Sequence, residues 1–509
     1  MTHLTPNTGL SLRARLSAPL MALLLLGCPQ SADSTPDGTA TGASTGSGVD
    51  TSTSTSAGTS AGTSTSADTS SGQGSETGAE GTETGGTETG SSGTESETEG
   101  EEPVDPASSP FGIFGPYEFF LDGMPPGITR ETVNERLLEL GVSWVQEMPF
   151  NLQDLPSELY AYSRVGREGG YNGPGGDLNA YAAALSTYIA QNKDRATIFE
   201  VDTEPSGFAP PMGWLGFEAE YVELLKVSHE TIKGECPECT VVLGGFSGIG
   251  PTPVTGQHID FLRDILDLGA AAYFDGFSYK QHHFAAHDYV ELKTKFEVYE
   301  GILAEYGVDL REIPVFVETA AYSGAPYYPP AHPLSFIDLP EQSEEEQAAA
   351  LVKIFAYAIA AGVDRVYWNL VYERHNFGGL ETNPFNYYGL FDNPLNDGDS
   401  APKVAFFTMQ RLIERLDGSD WSTIETLEDN AGVVLLKLSK NGRPIWIAWD
   451  DSPGMNDVVI PDVDGTVQMT VMVPTVDPPD SASFTVEMLE PEGGQLTVSL
   501  GESPVIIEG

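Results

Sequence analysis

Positive charge is in short supply along this chain. Its 24 Lys and Arg stand against 75 Asp and Glu, for a formal charge of −51. No basic stripe is present to track phosphates, which argues against DNA or RNA as partners. The surface is expected to be soluble and self-repelling. Cysteine is scarcer still, at 3 residues in 509, far too few for a disulfide scaffold. Beyond the N-terminus only Cys236 and Cys239 remain, in "GECPECT". Half a zinc site would need ligands that no second cysteine pair supplies. The pair follows a helical pattern and precedes a strand pattern, whereas a redox pair sits at a helix N-terminus. A small disulfide stapling a turn is therefore expected. Also missing is any Gly-rich phosphate loop after the first strand, which weighs against a nucleotide-binding sheet.

What the N-terminus does contain is short and apolar. Arg13 and Arg15 precede "LSAPLMALLLLGC", a stretch of signal-peptide length and too short to span a bilayer comfortably. It ends in Leu25-Leu26-Gly27-Cys28, which resembles the lipobox of bacterial lipoproteins. The resemblance implies cleavage before Cys28, lipidation of its sulfur, and a place in the bacterial cell envelope, anchored to the membrane. An ordinary secretory signal with an incidental cysteine is the alternative. Residues 29–107 are Ser, Thr, Gly, Ala and acids, with repeats such as "GTETGGTETG". Nothing there can bury enough apolar area to offset chain entropy, so a disordered tether is expected.

Over residues 108–418 the texture alternates. Short apolar runs ("FGIFG", "VSWVQEMPF", "ATIFEVDTE", "TVVLGGFS", "FDGFSYKQHH", "IPVFVET", "RVYWNLVY") read as strands. Segments such as "EAEYVELLKVSHETIK" carry apolar residues at three- and four-residue spacings and read as helices. Repeated β-α units over some 300 residues fit a (β/α)8 TIM barrel, and also an open doubly wound sheet. Between Phe150 and Asp177 the unit is compressed, with "LYAYSRVG" the sole candidate strand, so irregularity is expected there. Residues 419–509 are short alternating segments broken by Asn-Gly, Pro and Gly, the pattern of an antiparallel β-sandwich.

Barrel active sites lie at the C-terminal ends of the strands. Glu204 follows the run beginning at Ala196, and Glu318 follows "IPVFV". Two glutamates converging on one mouth are what glycosidic cleavage needs, one to protonate the leaving oxygen and one to attack or activate water. A single such residue more often caps a helix or pairs with a base. Two at matching strand ends point to catalysis.

Here the motifs resemble the clan A retaining glycoside hydrolases, such as families 5 and 39. "FEVDTEP" is similar to their fourth-strand motif and implies Glu204 as acid/base, while "IPVFVETAAYSG" is similar to the seventh-strand context and implies Glu318 as nucleophile. Trp368 in "RVYWNLVYE" falls where the group has a sugar-platform tryptophan. The C-terminal segments resemble the group's accessory β-domains. The resemblance implies carboxyl groups about 5–5.5 Å apart for retention, against about 6.5–9.5 Å for inversion. It implies no metal or organic cofactor.

Four residues depart from the pattern. Thr203 replaces an Asn that touches the sugar, Gln146 stands where many members have an Arg, and Lys280 and His282 stand near a His and a Tyr. Lys280 beside Glu318 is expected to keep that carboxylate ionised. Trp214, Trp368 and Tyr322 are the aromatic candidates for sugar stacking.

The sequence thus predicts an exported, lipid-anchored, monomeric retaining glycosidase acting on extracellular poly- or oligosaccharide. The rivals are a surface carbohydrate-binding protein that has kept the barrel without turnover, and an adhesive surface protein that merely displays loops.

Overall fold

The parallel strands close on themselves. The computed structural model describes residues 106–117, 125–167, 169–207, 210, 213–247, 256–283, 288–332, 335–398, 400–430, 432–477 and 482–509. The expected export signal with Cys28, and the expected tether up to residue 105, lie outside these residues.

Eight strands pair in sequence order and β8 returns to β1, forming a closed barrel. They are β1 (Phe111–Phe114), β2 (Trp144–Glu147), β3 (Tyr160–Val165), β4 (Ala196–Val201), β5 (Thr240–Phe246), β6 (Gly276–His283), β7 (Val315–Ala321) and β8 (Arg365–Trp368). The helices between them are α1 (Arg130–Leu140), α2 (Leu178–Asn192), α3 (Glu218–Glu235), α4 (Gly256–Asp267), α5 (Glu291–Glu305) and α6 (Glu344–Ala361). After β8 come the short α7 (Pro394–Asp397) and then α8 (Val404–Leu416). The compressed unit is irregular as expected: a 3-10 helix, Pro149–Asp154, fills the place of a helix between β2 and β3.

Because side chains alternate along a strand, each strand has an interior and an exterior set. Phe114, Trp144, Tyr162, Ile198, Val242, Phe316 and Tyr367 form the interior apolar layer. The intervening residues, such as Val145, Phe199, Val317 and Trp368, join the core between strands and helices. Two residues beyond each interior aromatic or aliphatic side chain lies the next interior position. That step places Gln146, Arg164, Glu200, Glu318 and Asn369 one layer higher, toward the C-terminal mouth.

The C-terminal region is antiparallel. Its strands are β9 (Asp420–Asn430), β10 (Val433–Lys440), β11 (Arg443–Asp450), β12 (Asn456–Pro461), β13 (Val467–Val471), β14 (Thr475–Val476), β15 (Ala482–Ser483), β16 (Val486–Leu489), β17 (Gln495–Leu500) and β18 (Val505–Glu508). Six of them form a sheet in the order β16-β13-β18-β11-β10-β9, beside the two-stranded β12-β17 and β14-β15. Asn441 and Gly442, both at positive φ, make the tight β10–β11 turn, with Lys440 paired to Arg443. Alternation again decides partners: Ile445, Ile447 and Trp449 join the barrel's outer core, whereas Trp446 and Ala448 pack with Val458, Ile460 and Val498. The Lys353 ammonium on α6 meets the Asp451 carboxylate at 2.7 Å, and Tyr289 donates to the same carboxylate at 2.6 Å. Barrel and sheets together make one compact unit.

Cys236 caps α3 and forms a disulfide with Cys239, three residues on, just before β5. Both are fully buried, which suits the expected turn staple.

Candidate active site

β6 and β7 run in parallel register that sets Lys280 directly opposite Glu318. Their charged groups meet at 2.5 Å, with side chains only 5% and 3% exposed. Glu318 therefore sits inside β7, which continues to Ala321, rather than at its end. Its Oε1 accepts a hydrogen bond from Asn369 Nδ2 at 2.8 Å, just past β8. The His282 ring approaches the same oxygen at 3.9 Å, stacked at 11° on Tyr388 with Phe385 edge-on.

Glu204 arrives from β4 by a tight turn. Asp202 and Glu204 both adopt positive φ, 64° and 50°, a conformation that costs non-glycine residues energy and persists only where surroundings enforce it. The enforcement is visible. The buried Asp202 carboxylate accepts from the Arg167 backbone at 3.0 Å and from Arg167 Nε at 2.8 Å, and it also accepts the Trp214 indole N–H. Gln257 Nε2 on α4 donates to the Ser206 carbonyl at 2.9 Å, and Ser206 Oγ pairs with His258 Nδ1 at 2.7 Å. Beneath the turn, β5 carries Gly244 and Gly245. A Cβ at Gly244 would collide with the Asp202 carbonyl oxygen, and one at Gly245 (φ +42°) would lie 2.9 Å from Glu200 Oε1 and 3.0 Å from Thr203 Oγ1. Thr203 thus sits on the glycine step beside Glu204.

The result is convergence. Lys280 Nζ lies 3.4 Å from Glu204 Oε1 as well as 2.5 Å from Glu318 Oε2. Sharing one nitrogen, these two oxygens can be no more than about 6 Å apart, so the two carboxylates meet at one point of the barrel mouth. Burial works against the Lys280 charge, but Glu318, Glu204 and Glu200 outweigh it and hold its pKa above the ordinary lysine value. The Glu204 side chain is 24% exposed, so the pair opens to solvent on its side.

In the same interior layer as Glu318 lies a third carboxylate that the sequence reading missed. Glu200 is fully buried on β4 and accepts hydrogen bonds from Gln146 Nε2 at 2.8 Å and from the Tyr162 hydroxyl. Burial raises its pKa, opposed by Lys280, Tyr162 and Arg164. Gln146 therefore serves Glu200 rather than touching either candidate catalytic glutamate through the bond it makes. Asn369 was missed as well. The signal for both was available: each falls two residues beyond an interior apolar residue, Ile198 and Tyr367 respectively.

The aromatic expectations need correction. Trp214, Trp368 and Tyr322 are all fully buried. Trp368 has the parity opposite to Tyr367, so it points outward into the helical layer, where its indole donates to the Tyr388 carbonyl at 3.2 Å. Trp214 packs on Tyr171 and Tyr221 while bonding Asp202. The Tyr322 hydroxyl donates to the Pro340 carbonyl at 2.6 Å. None of the three presents a face on which a sugar could stack.

No protein-family model matches the chain, and no curated protein matches it either. Among solved structures it is similar to a family 39 glycoside hydrolase from the gut symbiont Bacteroides cellulosilyticus WH2, with a TM-score of 0.52 and 16% identity over 80% of this chain and 82% of that one. A monomeric β-xylosidase from Caulobacter crescentus CB15 gives a TM-score of 0.48 at 13% identity, over 80% and 96% of the two chains. A family 39 enzyme from Xanthomonas axonopodis pv. citri gives 0.46 at 11%, over 80% and 95%. At these identities the likeness is one of fold.

Proposed function

We propose that the protein is a retaining glycoside hydrolase acting on extracellular poly- or oligosaccharide, held at the bacterial envelope by a lipid on Cys28. The observation that carries the reading is the pair of glutamates, from β4 and β7, whose oxygens share one ammonium within about 6 Å. Glu318 attacks the anomeric carbon while Glu204 protonates the leaving oxygen. Glu204 then takes a proton from the water that releases the sugar. Asn369 fixes the orientation of the nucleophile, and the solvent-facing position of Glu204 suits a group that must meet both leaving group and water.

One observation favours a second reading, sugar binding without turnover: the Glu318 side chain is only 3% exposed and engaged by Lys280 and Asn369. Wild type, Glu318→Gln and Glu204→Ala assayed on p-nitrophenyl glycosides and on the corresponding oligosaccharides separate the two. Turnover should vanish in Glu318→Gln. Glu204→Ala should lose far more activity on oligosaccharides than on activated aryl glycosides, and azide should partly restore it. Binding of oligosaccharide with no turnover by the wild type would leave the second reading standing. Loss of membrane partitioning in Cys28→Ser tests the anchor.

A further inference from the structure

Lys280 touches both candidate catalytic carboxylates. We infer that it is a shared counter-ion for the single negative charge that Glu204 and Glu318 pass between them, and thereby a positioning residue for both halves of the reaction. The inference rests on the glycosidase reading above.

The charge count supplies the argument. The double-displacement reaction starts with Glu318 as the carboxylate and Glu204 as the acid. Attack forms a bond from a Glu318 oxygen to the anomeric carbon and breaks the glycosidic bond, with the Glu204 proton passing to the leaving oxygen. The negative charge now resides on Glu204. Water next attacks the anomeric carbon, loses a proton to Glu204, and the ester bond breaks, so that the charge returns to Glu318. The pair carries one negative charge throughout, but its address changes. An ammonium at 2.5 Å from one carboxylate and 3.4 Å from the other meets that charge at either address without travelling.

The surroundings keep the ammonium in place. Its Nζ lies 4.8 Å from the centroid of the Phe114 ring on β1. Lys295 on α5 donates to the Lys280 carbonyl at 3.4 Å, fixing the backbone from behind. Among the described residues, the charged and titratable groups facing the cluster include Glu200 on β4, Arg164 on β3, His282 on β6 and Tyr388 after β8. Glu291, which acts on Lys295, lies behind β6 with it. Glu200 on β4 adds further anionic character beside Lys280, so the cation is not in surplus.

A nearby cation favours the ionised form of a carboxyl group, so its removal moves the titration of each glutamate to higher pH. The test uses the full chain with Lys280→Gln and Lys280→Arg. The first readout is the pH dependence of kcat/KM on whichever of the p-nitrophenyl β-xyloside, β-glucoside, β-galactoside or β-mannoside the wild type hydrolyses fastest. Both limbs of the bell should move upward by about one pH unit in Lys280→Gln, and Lys280→Arg should return them toward the wild-type position. A merely structural lysine would lower the height of the bell and leave its limbs in place, and that outcome overturns the inference. The second readout needs no turnover. The Lys280 15Nζ resonance of the wild type should register two carboxyl titrations, one removed by Glu204→Gln and the other by Glu318→Gln. A resonance that follows only one glutamate also overturns the inference. Absence of turnover on every glycoside defeats the glycosidase reading instead, and the nitrogen titration still decides whether Lys280 serves both groups.

Discussion

Asn369 donates its side-chain amide to Glu318 Oε1 at 2.8 Å, tying the residue after β8 to the interior of β7. The contact crosses between neighbouring strands, so it fixes the Glu318 carboxylate against rotation as well as satisfying a buried oxygen. Misplacing a reacting group by even 1 Å can cost about 100-fold in rate. Asn369→Ala is therefore expected to lower kcat by about 10- to 100-fold with little change in KM, measured on an aryl glycoside. A rise in KM at constant kcat would place Asn369 in ground-state sugar binding instead.

The turn carrying Glu204 depends on the glycines beneath it. Gly245→Ala introduces a Cβ at φ +42°, 2.9 Å from Glu200 Oε1. A loss of about 1–3 kcal/mol in unfolding free energy is expected, together with reduced kcat/KM. Gly234, inside α3 with nothing near its Cβ position, is the control. Gly234→Ala should stabilise by about 0.5–1 kcal/mol. Equal effects of the two substitutions in denaturant melts would show that the step under Glu204 is not special.

Trp214 serves the wall and not the substrate. Trp214→Phe removes the indole N–H from the buried Asp202 carboxylate, and should cost about 1–3 kcal/mol of stability while leaving KM within twofold or so. If KM instead rises tenfold in a protein of unchanged stability, the ring meets sugar after all.

His258 gives stability a pH dependence of definite sign. Burial, aided by Lys295, lowers its pKa from 6.5 to about 4. Between those values the unfolded chain binds a proton that the folded protein refuses, so stability is fully present above pH 6.5 and falls as pH drops toward 4. The full contribution is about 3 kcal/mol. His258→Gln should flatten this part of the profile in unfolding experiments between pH 4 and 7. An unchanged slope would assign the acid sensitivity to other groups.

The sequence made the barrel legible because its strands are continuous apolar runs bounded by turn residues, and helical spacing is plain in α3 and α6. Glu204 and Glu318 drew attention only as a pair, two acids after apolar runs on different strands, although Glu318 proves to lie inside β7 and not at its end. Trp368 was misread for lack of parity: a register one residue off sends a side chain through the opposite wall of the barrel. Trp214 was misread because nothing local announces that its partner is Asp202, twelve residues earlier. Glu200 was passed over since it lies inside the run that leads to Glu204. Ile198 and Glu200 mark an interior row, and such a row can be read only once the strand is known to face a closed barrel.

The seam around Asp451 bears on how this chain can vary over evolutionary time. Lys353 on α6 finds its counter-ion across that seam, and α6 is buried along nearly its whole length. A lineage that shed the last ninety residues would uncover the apolar flank of α6 and leave Lys353 without its carboxylate. A different C-terminal module grafted in their place would have to supply both an apolar face and an acid at the same point. Loops at the mouth are open to drift, whereas barrel and sheets must be inherited as one piece.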